Sequence, residues 1–502
     1  MTPLLIVIGI YVAYYFLYRP VSTYWEKMRV PHKSLSLIAN ASETFFKKPS
    51  PAEYSQELYD KFKGERFAGI WYFFAPMLLA RDPELIRAIL TRDFAYWSSR
   101  GIVINEKEDP LGENLVNLSG VKWKVMRSKL NGAFSGRKMK HMFNMLEDCS
   151  REFESALRGI VKTKDMVEIK EISARFMTDV IGHCVFGIQI DTLNDKNIEF
   201  RTVGKEVFEV TLRIRLLRVI QMAFPNLFKL IRAKVHSKRV TGFIVNLVKD
   251  TFKYREEKNI QRNDFIDLLR EMRKKEKQNG IKDGVEFNDA FLAAQAYAFL
   301  AAGFETSSTT LSYCVHELAV NEEIQNKLRQ EIFREKTKNN GIITLDNIKN
   351  MKYLDKLFNE TLRKYPTIPM ITREVTKSYT IPGTDIVLPV GLKCLLPIYA
   401  IHRDPKYYPD PERFDPERFN DEVKRERPAH TFLPFGGGPR FCLGARFAEM
   451  QVKVGLIKVI ENFHLSLCEK STNPLEQDNT ARFLGSKTGI WVRVHPTNRQ
   501  TD

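Results

Sequence analysis

The order of hydrophobic and polar positions divides the chain into a short apolar leader and a long, regularly patterned body. Leu4–Tyr18 holds fifteen residues without a charge. As a helix that run reaches about 22 Å, short of the ~30 Å hydrocarbon layer of a bilayer. Adding Met1–Pro3 and the interfacial residues out to Trp25 makes it long enough. Tyr14, Tyr15, Tyr18, Tyr24 and Trp25 suit a membrane interface. A cleaved leader needs a basic start and a small-residue cleavage site. Here the end is bulky and aromatic, and Arg19, Lys27, Arg29 and Lys33 follow the span. The expectation is a transmembrane signal-anchor over 1–20, a hinge over 21–34 reduced to Pro31 and a serine-leucine stretch, and a cytosolic body over 35–502.

From about Leu79 the body is mostly amphipathic helix, broken by Gly, Pro and Asn. Strand-like runs gather at Trp71–Phe74, Ser378–Val387 and Gly489–Val494. The predicted class is α+β, mainly α, with small sheets. Val210–Ala233 mixes apolar residues with Arg213, Arg215, Arg218, Lys229 and Arg232 around Pro225. It reads either as a hairpin dipping into a membrane surface or as two ordinary amphipathic helices. Phe287–Ala319 reads as one long buried helix, apolar all round and capped by Asn288 or Asp289. Its middle, Ala301-Ala302-Gly303, is small enough for something to pack closely against it.

At 502 residues the chain exceeds the ~250–300 at which single cores stop growing. Yet no repeat or low-complexity linker divides it, and a fold wrapped around a cofactor is one way to reconcile the two. Seventy-eight basic residues against sixty-one acidic give a net charge of +17. Such a surface suits anionic lipid or an acidic protein, or is simply solvated. No zinc finger, RNA-binding signature or basic helix leading into heptads is present, so nucleic acid drops out. Six cysteines without a CxxC pair make no disulfide framework in so long a chain.

Chemistry concentrates in Phe435-Gly-Gly-Gly-Pro-Arg-Phe-Cys-Leu-Gly444. Three glycines and Pro439 form a tight turn ahead of Cys442, able to aim backbone N–H groups at the sulfur and to let a flat cofactor approach. Arg440 adds positive charge, and Gly444 lets the next helix start against the same surface. A glycine-rich turn around a buried cysteine is the plain alternative. The stretch resembles the haem loop of the cytochrome P450 family, F-x-x-G-x-R-x-C-x-G, at every fixed position. Four further motifs of that family follow the expected order. They are Trp123-Lys-Val-Met-Arg127, Ala302-Gly-Phe-Glu-Thr-Ser307, Glu360-Thr-Leu-Arg363 and Phe414-Asp-Pro-Glu-Arg-Phe419. The phrasing around Asn105–Pro110 and Ala302–Ser308 is most similar to insect microsomal, xenobiotic-metabolising members (family 6-like). The family often has an acid where Gly437 stands.

The resemblance implies a haem-thiolate monooxygenase (EC 1.14.14.- type) holding haem b, with Cys442 as axial iron ligand and Phe435, Gly438, Arg440 and Gly444 around it. It implies that Trp123, Arg127, Arg373 and Arg440 hold the propionates, with Arg100 a further candidate, and that Glu360, Arg363 and Arg418 form a buried network. Gly303 would leave room for dioxygen, and Glu305 and Thr306 would deliver protons. Taken singly, Thr306 bonding its own i−4 carbonyl and Glu305 in an ion pair are the simpler readings. Val103, Ile104, Leu115, Phe299, Ala302, Ile368, Met370, Ile371 and Thr488 would line an apolar pocket that names no substrate. Electrons would come from NADPH through the FAD and FMN of NADPH–cytochrome P450 reductase, with cytochrome b5 as a second partner. Lys122, Lys124, Lys138, Lys140, Arg446 and Lys453 would form the docking face. The implied location is the endoplasmic reticulum membrane. Two rivals share the fold: an isomerase or dehydratase needing no reductase, and a non-enzymatic haem binder.

Overall fold

The computed structural model describes residues 22–34, 50–72, 75–195, 198–281, 284–479, 481 and 483–497. The anchor expected over Leu4–Tyr18 lies outside them, as do residues 73 and 74 of the expected strand Trp71–Phe74. Among the described residues no helix is long and apolar enough to cross a membrane.

Runs of continuous burial mark three of the first sheet's strands and alternating burial marks the last two strands. β1 (Phe67–Tyr72) and β2 (Ala75–Ala80) form an antiparallel hairpin, and β3 is Met166–Glu168. β4 (Ile371–Glu374), β5 (Tyr379–Thr380), β6 (Val387–Leu388) and β7 (Lys393–Leu396) follow, then β8 (Phe463–Ser466) and β9 (Trp491–Pro496). They make three small sheets, ordered β1-β2-β7-β4, β3-β9-β8 and β5-β6. Of these, β5, β6 and β9 fall within or beside the expected strand runs. β4 and β7 were not expected, because four-residue stretches such as Ile-Thr-Arg-Glu and Lys-Cys-Leu-Leu are too short to show a period.

Helices fill the rest, and nine build the site. They are α1 (Gly120–Leu130), α2 (Ile169–Ile181), α3 (Leu212–Ala223), α4 (Pro225–Leu230), α5 (Lys238–Glu257), α6 (Asp289–Gly303), α7 (Glu305–Val320), α8 (Lys352–Lys364) and α9 (Ala445–Asn462). The main core gathers α1, α2 and α5 to α9 around phenylalanines such as Phe153, Phe176 and Phe304. The sheet β1-β2-β7-β4 carries its own clusters.

Two expectations change here. Trp25, read as interfacial, is 0% exposed, and its Nε1 donates to the Ile70 carbonyl at 3.1 Å. A β-carbon at Gly69 would overlap that indole, so the glycine makes the seat for it. The segment also pairs with β1 through Gly69 N to Pro31 O at 2.7 Å and Lys33 N to Gly69 O at 3.1 Å. Residues 24–33 are thus part of the folded body rather than a free hinge. The long helix expected over Phe287–Ala319 is capped by Asn288 as anticipated, its side chain accepting from Phe291 N, but it is interrupted at Phe304 between α6 and α7.

Candidate functional site

The loop before α9 is fixed by its own backbone. Cys442 N donates to Phe435 O at 3.0 Å, Phe441 N to Gly438 O at 2.9 Å, and Gly436 N to Leu433 O at 3.0 Å. His402 Nε2 accepts from Leu433 N at 2.9 Å. Gly436 and Gly438 have φ of +73° and +66°, the region glycine enters without strain. A β-carbon on Gly438 would also overlap the Leu90 carbonyl. At Gly437, where the family often has an acid, a β-carbon would meet Leu90 Cδ1 at 3.1 Å, so a larger residue needs Leu90 to yield. Cys442 is exposed although protein surrounds it, which places it on an internal space. Burial pushes its thiol up, against the pull of the Gly444 N–H and the charges of Arg100 and Arg127. A coordinated metal cation outweighs that cost and deprotonates a thiol outright.

Four arginines form one cluster here: Arg100 and Arg127 act on the sulfur, and Arg373 and Arg440 act on Arg100 and each other. Arg127 and Trp123 sit i, i+4 on α1, and Arg373 sits on β4. Arg440 lies over the Trp123 ring at 4.3 Å and donates to Ser98 O at 2.6 Å and Leu118 O at 2.7 Å. Arg100 donates to Val116 O at 2.8 Å, and Arg373 to Thr372 O at 2.8 Å. Among the described residues none of the four pairs with a carboxylate, and Arg373 Nε and Arg440 Nη1 are buried without a partner. Burial lowers all four, Arg100 to about 10 and Arg373 and Arg440 to about 9; Arg100, Arg373 and Arg440 are lowered further by neighbouring guanidiniums. Buried cations with spare N–H donors call for an anion. Haem b, with two propionates and an iron that takes a sulfur donor, fits this set. Sequence reasoning gave Arg100 less weight than the others, yet it bears on Cys442, Arg373 and Arg440 alike.

Below the cysteine loop lies a second charged cluster, and this one is closed. Glu360 and Arg363, i, i+3 on α8, pair at 2.7 Å with both side chains 0% exposed. Arg363 Nη1 donates to Pro411 O at 2.6 Å, and Glu360 Oε1 accepts from Asp415 N at 2.9 Å. Arg418 stands 3.5 Å from Glu360, with its two outer nitrogens on the Pro409 and Asp410 carbonyls. The predicted triad is brought together, and it ties α8 to the segment leading into the cysteine loop.

At the α6–α7 break the structure departs from the expected roles. A β-carbon on Gly303 would overlap Ile181, so close packing against α2 accounts for this glycine, not room for a ligand. The adjacent side chains of Glu305 and Thr306 do not meet. Glu305 pairs with Lys170 at 2.9 Å, and Lys170 also donates to Ser308 Oγ at 2.8 Å. Thr306 Oγ1 donates to Ala302 O at 2.7 Å, leaving its oxygen lone pairs free to accept. Gln451 of α9 donates to the Gly303 carbonyl at 3.0 Å and also to Ser307. That contact was not anticipated, since a lone glutamine in an apolar helix carries no sequence signal. Ala302 is exposed between buried Leu300 and Phe304.

The pocket residues divide. Val103, Ile104 and Ile371 are half-buried, Ile368 is 41% exposed, and Leu115 is buried with its N–H on Gln295 Oε1 at 2.9 Å. Met370 packs with Met222 and Leu79. Phe299 is half-buried, its ring stacked on Phe134 at 5.6 Å and Phe265 at 3.8 Å. Thr488 is exposed beside Thr472 and Ser486, away from the site. Leu484, four residues earlier, donates its N–H to Thr367 O at 3.1 Å and so sits nearer. In the basic face Lys453 is a correction, being 2% exposed and paired with Asp355 and Glu449. Lys122 is half-engaged by Glu106 and Glu113. Lys124, Lys140 and Arg446 are exposed, and Lys138 half so.

Residues 32–492 match the family model described as Cytochrome P450. The chain is 38% identical to "Cytochrome P450 6a2" of Drosophila melanogaster, over 98% of each protein. It is 37% identical to "Cytochrome P450 6k1" of Blattella germanica, over 97% of this chain and 95% of that one. It is 40% identical to "Probable cytochrome P450 6a13" of Drosophila melanogaster, over 88% of each. With the mainly helical α+β fold, these matches establish that the chain belongs to the cytochrome P450 family, as a haem-binding monooxygenase similar to insect family 6 members.

Proposed function

We propose that this monooxygenase uses Cys442 as axial ligand and Arg100, Arg127, Arg373 and Arg440, with Trp123, as the propionate site. The observation that carries the reading is the open arginine cluster beside an accessible cysteine, with buried guanidinium nitrogens left unsatisfied. Haem bound there supplies the oxygen-activating iron, and a thiolate ligand gives it the electron density that favours splitting dioxygen. The chain's own residues do the rest. Phe435, Gly438 and Gly444 shape the loop, and Val103, Ile104, Leu115, Ala302, Ile368, Met370 and Ile371 offer an apolar surface to a lipophilic substrate. Thr306 holds a hydroxyl oxygen at that surface, able to pass a proton between water and the reacting oxygen. Glu305, held by Lys170, serves it from outside rather than by direct contact.

Electrons come from NADPH through NADPH–cytochrome P450 reductase, with cytochrome b5 as a second donor. The exposed Lys124, Lys140 and Arg446 supply the positive face that an acidic flavoprotein needs. The substrates are xenobiotics, such as insecticides or plant toxins, or endogenous lipids and hormones. The body is held at the endoplasmic reticulum by residues 1–20. Exposed Leu212, Leu216, Leu227, Leu230 and Ile231 on and beside α3 and α4 suit contact with lipid. The test is turnover of a lipophilic substrate with purified reductase. NADPH- and reductase-dependent oxygen uptake matched by a hydroxylated product is expected. Conversion of a peroxide without reductase, or no turnover by haem-loaded protein, contradicts the reading.

A further inference from the structure

We propose that His402 is a positioning residue for Cys442, holding the turn ahead of the cysteine with its ring and the closed Glu360–Arg363 cluster with its carbonyl; this rests on the reading of Cys442 as axial ligand. His402 follows the one-turn helix Ile398–Ile401, and its N–H donates to Ile398 O at 3.0 Å. The residue is 0% exposed. Its ring packs against Phe432, stacked at 5.4 Å, and Tyr408, edge-on at 6.3 Å. Leu433 N donates to its Nε2 at 2.9 Å. A backbone N–H only donates, so Nε2 accepts and the ring proton sits on Nδ1. Nδ1 has no partner among the described residues. A buried donor left empty is a cost, and an apolar side chain would fill the same space without it. The cost is explained if the acceptor on the other side of the ring is what the site needs. Burial, and after it the charges of Arg363 and Arg403, push the imidazole down to about 3, so Nε2 stays free to accept.

The contact falls on the turn that carries the cysteine. Leu433 O accepts from Gly436 N at 3.0 Å, and Phe435 O accepts from Cys442 N at 3.0 Å. Phe435, which bonds the cysteine's backbone, therefore lies inside the turn whose first residue His402 holds. Other anchors of the segment lie to either side. The Tyr408 hydroxyl donates to Thr431 O at 3.1 Å, and Arg440 donates to Ser98 O at 2.6 Å and Leu118 O at 2.7 Å. These hold the two ends and leave the turn Leu433–Gly436 to the histidine. Without the Nε2 acceptor, the Leu433 N–H is buried with nothing to meet, and the turn shifts while both ends stay attached. On the other side, His402 O accepts from Arg363 Nη1 at 3.3 Å. One residue thus takes the closed cluster on its carbonyl and the cysteine loop on its ring. That gives Arg363 a route to the sulfur's position that needs no contact with the ligand itself.

The experiment holds the haem-loaded full chain at a fixed temperature below its unfolding and follows two signals: the red-shifted Soret band of the reduced carbon monoxide form, and the far-ultraviolet circular dichroism. His402→Phe keeps a ring and removes the acceptor. It is expected to lose the red-shifted band about tenfold faster than the wild type, while the dichroism decays within about twofold of it. His402→Gln brings a carbonyl oxygen near the place of Nε2 and is expected to keep the band's lifetime within about threefold. Equal acceleration of both signals in His402→Phe overturns the proposal, because that is general loosening of the fold. An unchanged band lifetime overturns it too, and so does a Gln variant that fails as fast as the Phe variant. Each of these outcomes leaves Cys442 as the ligand. Should His402→Phe take up no haem, amide exchange in the wild-type holoenzyme decides. The Leu433 N–H is expected to exchange at least about a hundredfold more slowly than an exposed amide, and exchange at the exposed rate overturns the contact. A wild-type chain with no red-shifted band overturns the ligand reading and this one with it.

Discussion

Two buried clusters of charge flank the cysteine loop, and they are built on opposite plans. Glu360 is shared by Arg363 and Arg418, whose outer nitrogens go to backbone carbonyls. Arg100, Arg127, Arg373 and Arg440 repel one another and leave buried nitrogens empty. The first carries its own carboxylate counter-charge and serves the fold. The second makes sense only with an anion added, so it serves a ligand. Burial and arginine content alone do not separate a structural cluster from a binding one; the missing counter-charge does.

The sharpest way to break this distinction is to remove one cation from each cluster. Arg363→Ala leaves Glu360 ionised and buried, a loss of about 3–5 kcal/mol. We predict poorly folded, haem-free protein, measured by soluble yield and by haem content per chain; normal haem content would show that the closed cluster is not structural. Gly438→Ala comes next, at about 1–3 kcal/mol from the positive φ alone, with the Leu90 carbonyl overlap added. Thermal unfolding should fall, and haem content with it. Arg127→Leu is predicted to do the reverse of Arg363→Ala in the absence of haem, since Arg127 repels Arg100 and Arg440. The haem-free protein unfolds at no lower temperature, because repulsion is relieved, while haem affinity drops roughly 10- to 150-fold, the range of one charged hydrogen bond. Equal loss of stability with and without haem would erase the contrast between the clusters. Smallest in stability is Thr306→Ala, which gives up the hydroxyl's bond to the Ala302 carbonyl. Haem content and unfolding should hold within about 1 kcal/mol, while NADPH consumed per product formed rises and hydrogen peroxide accumulates. Coupled turnover in that variant would remove Thr306 from the proton path.

The closed cluster was legible in the sequence because its members lie on one helix turn and in a fixed motif. The open one was less so. Arg373 sits on β4, a strand with no period to announce it, and Arg100 lies in a loop. Local pattern also misled where tertiary packing supplied the reason. Gly303 looked like space for a ligand and is space for Ile181. Trp25 looked like a membrane anchor and fills a seat on β1. Lys453 looked like a surface charge and lies buried among Asp355 and Glu449. Phe299 and Thr488 were placed by position along the chain, which fixes neither a ring's stacking partners nor which side of a turn faces inward. The α6–α7 break at Phe304 was invisible in composition, since no proline marks it and buried residues continue on both sides.

The central claim, that Cys442 as a thiolate holds haem beside the open arginine cluster, is tested most directly by the carbon monoxide difference spectrum of the reduced protein, recorded for the wild type and for Cys442→Ser. The account predicts a strongly red-shifted Soret band in the wild type and its loss in the variant. A wild-type band at the position typical of histidine-ligated haem, or a red-shifted band that survives Cys442→Ser, would contradict it.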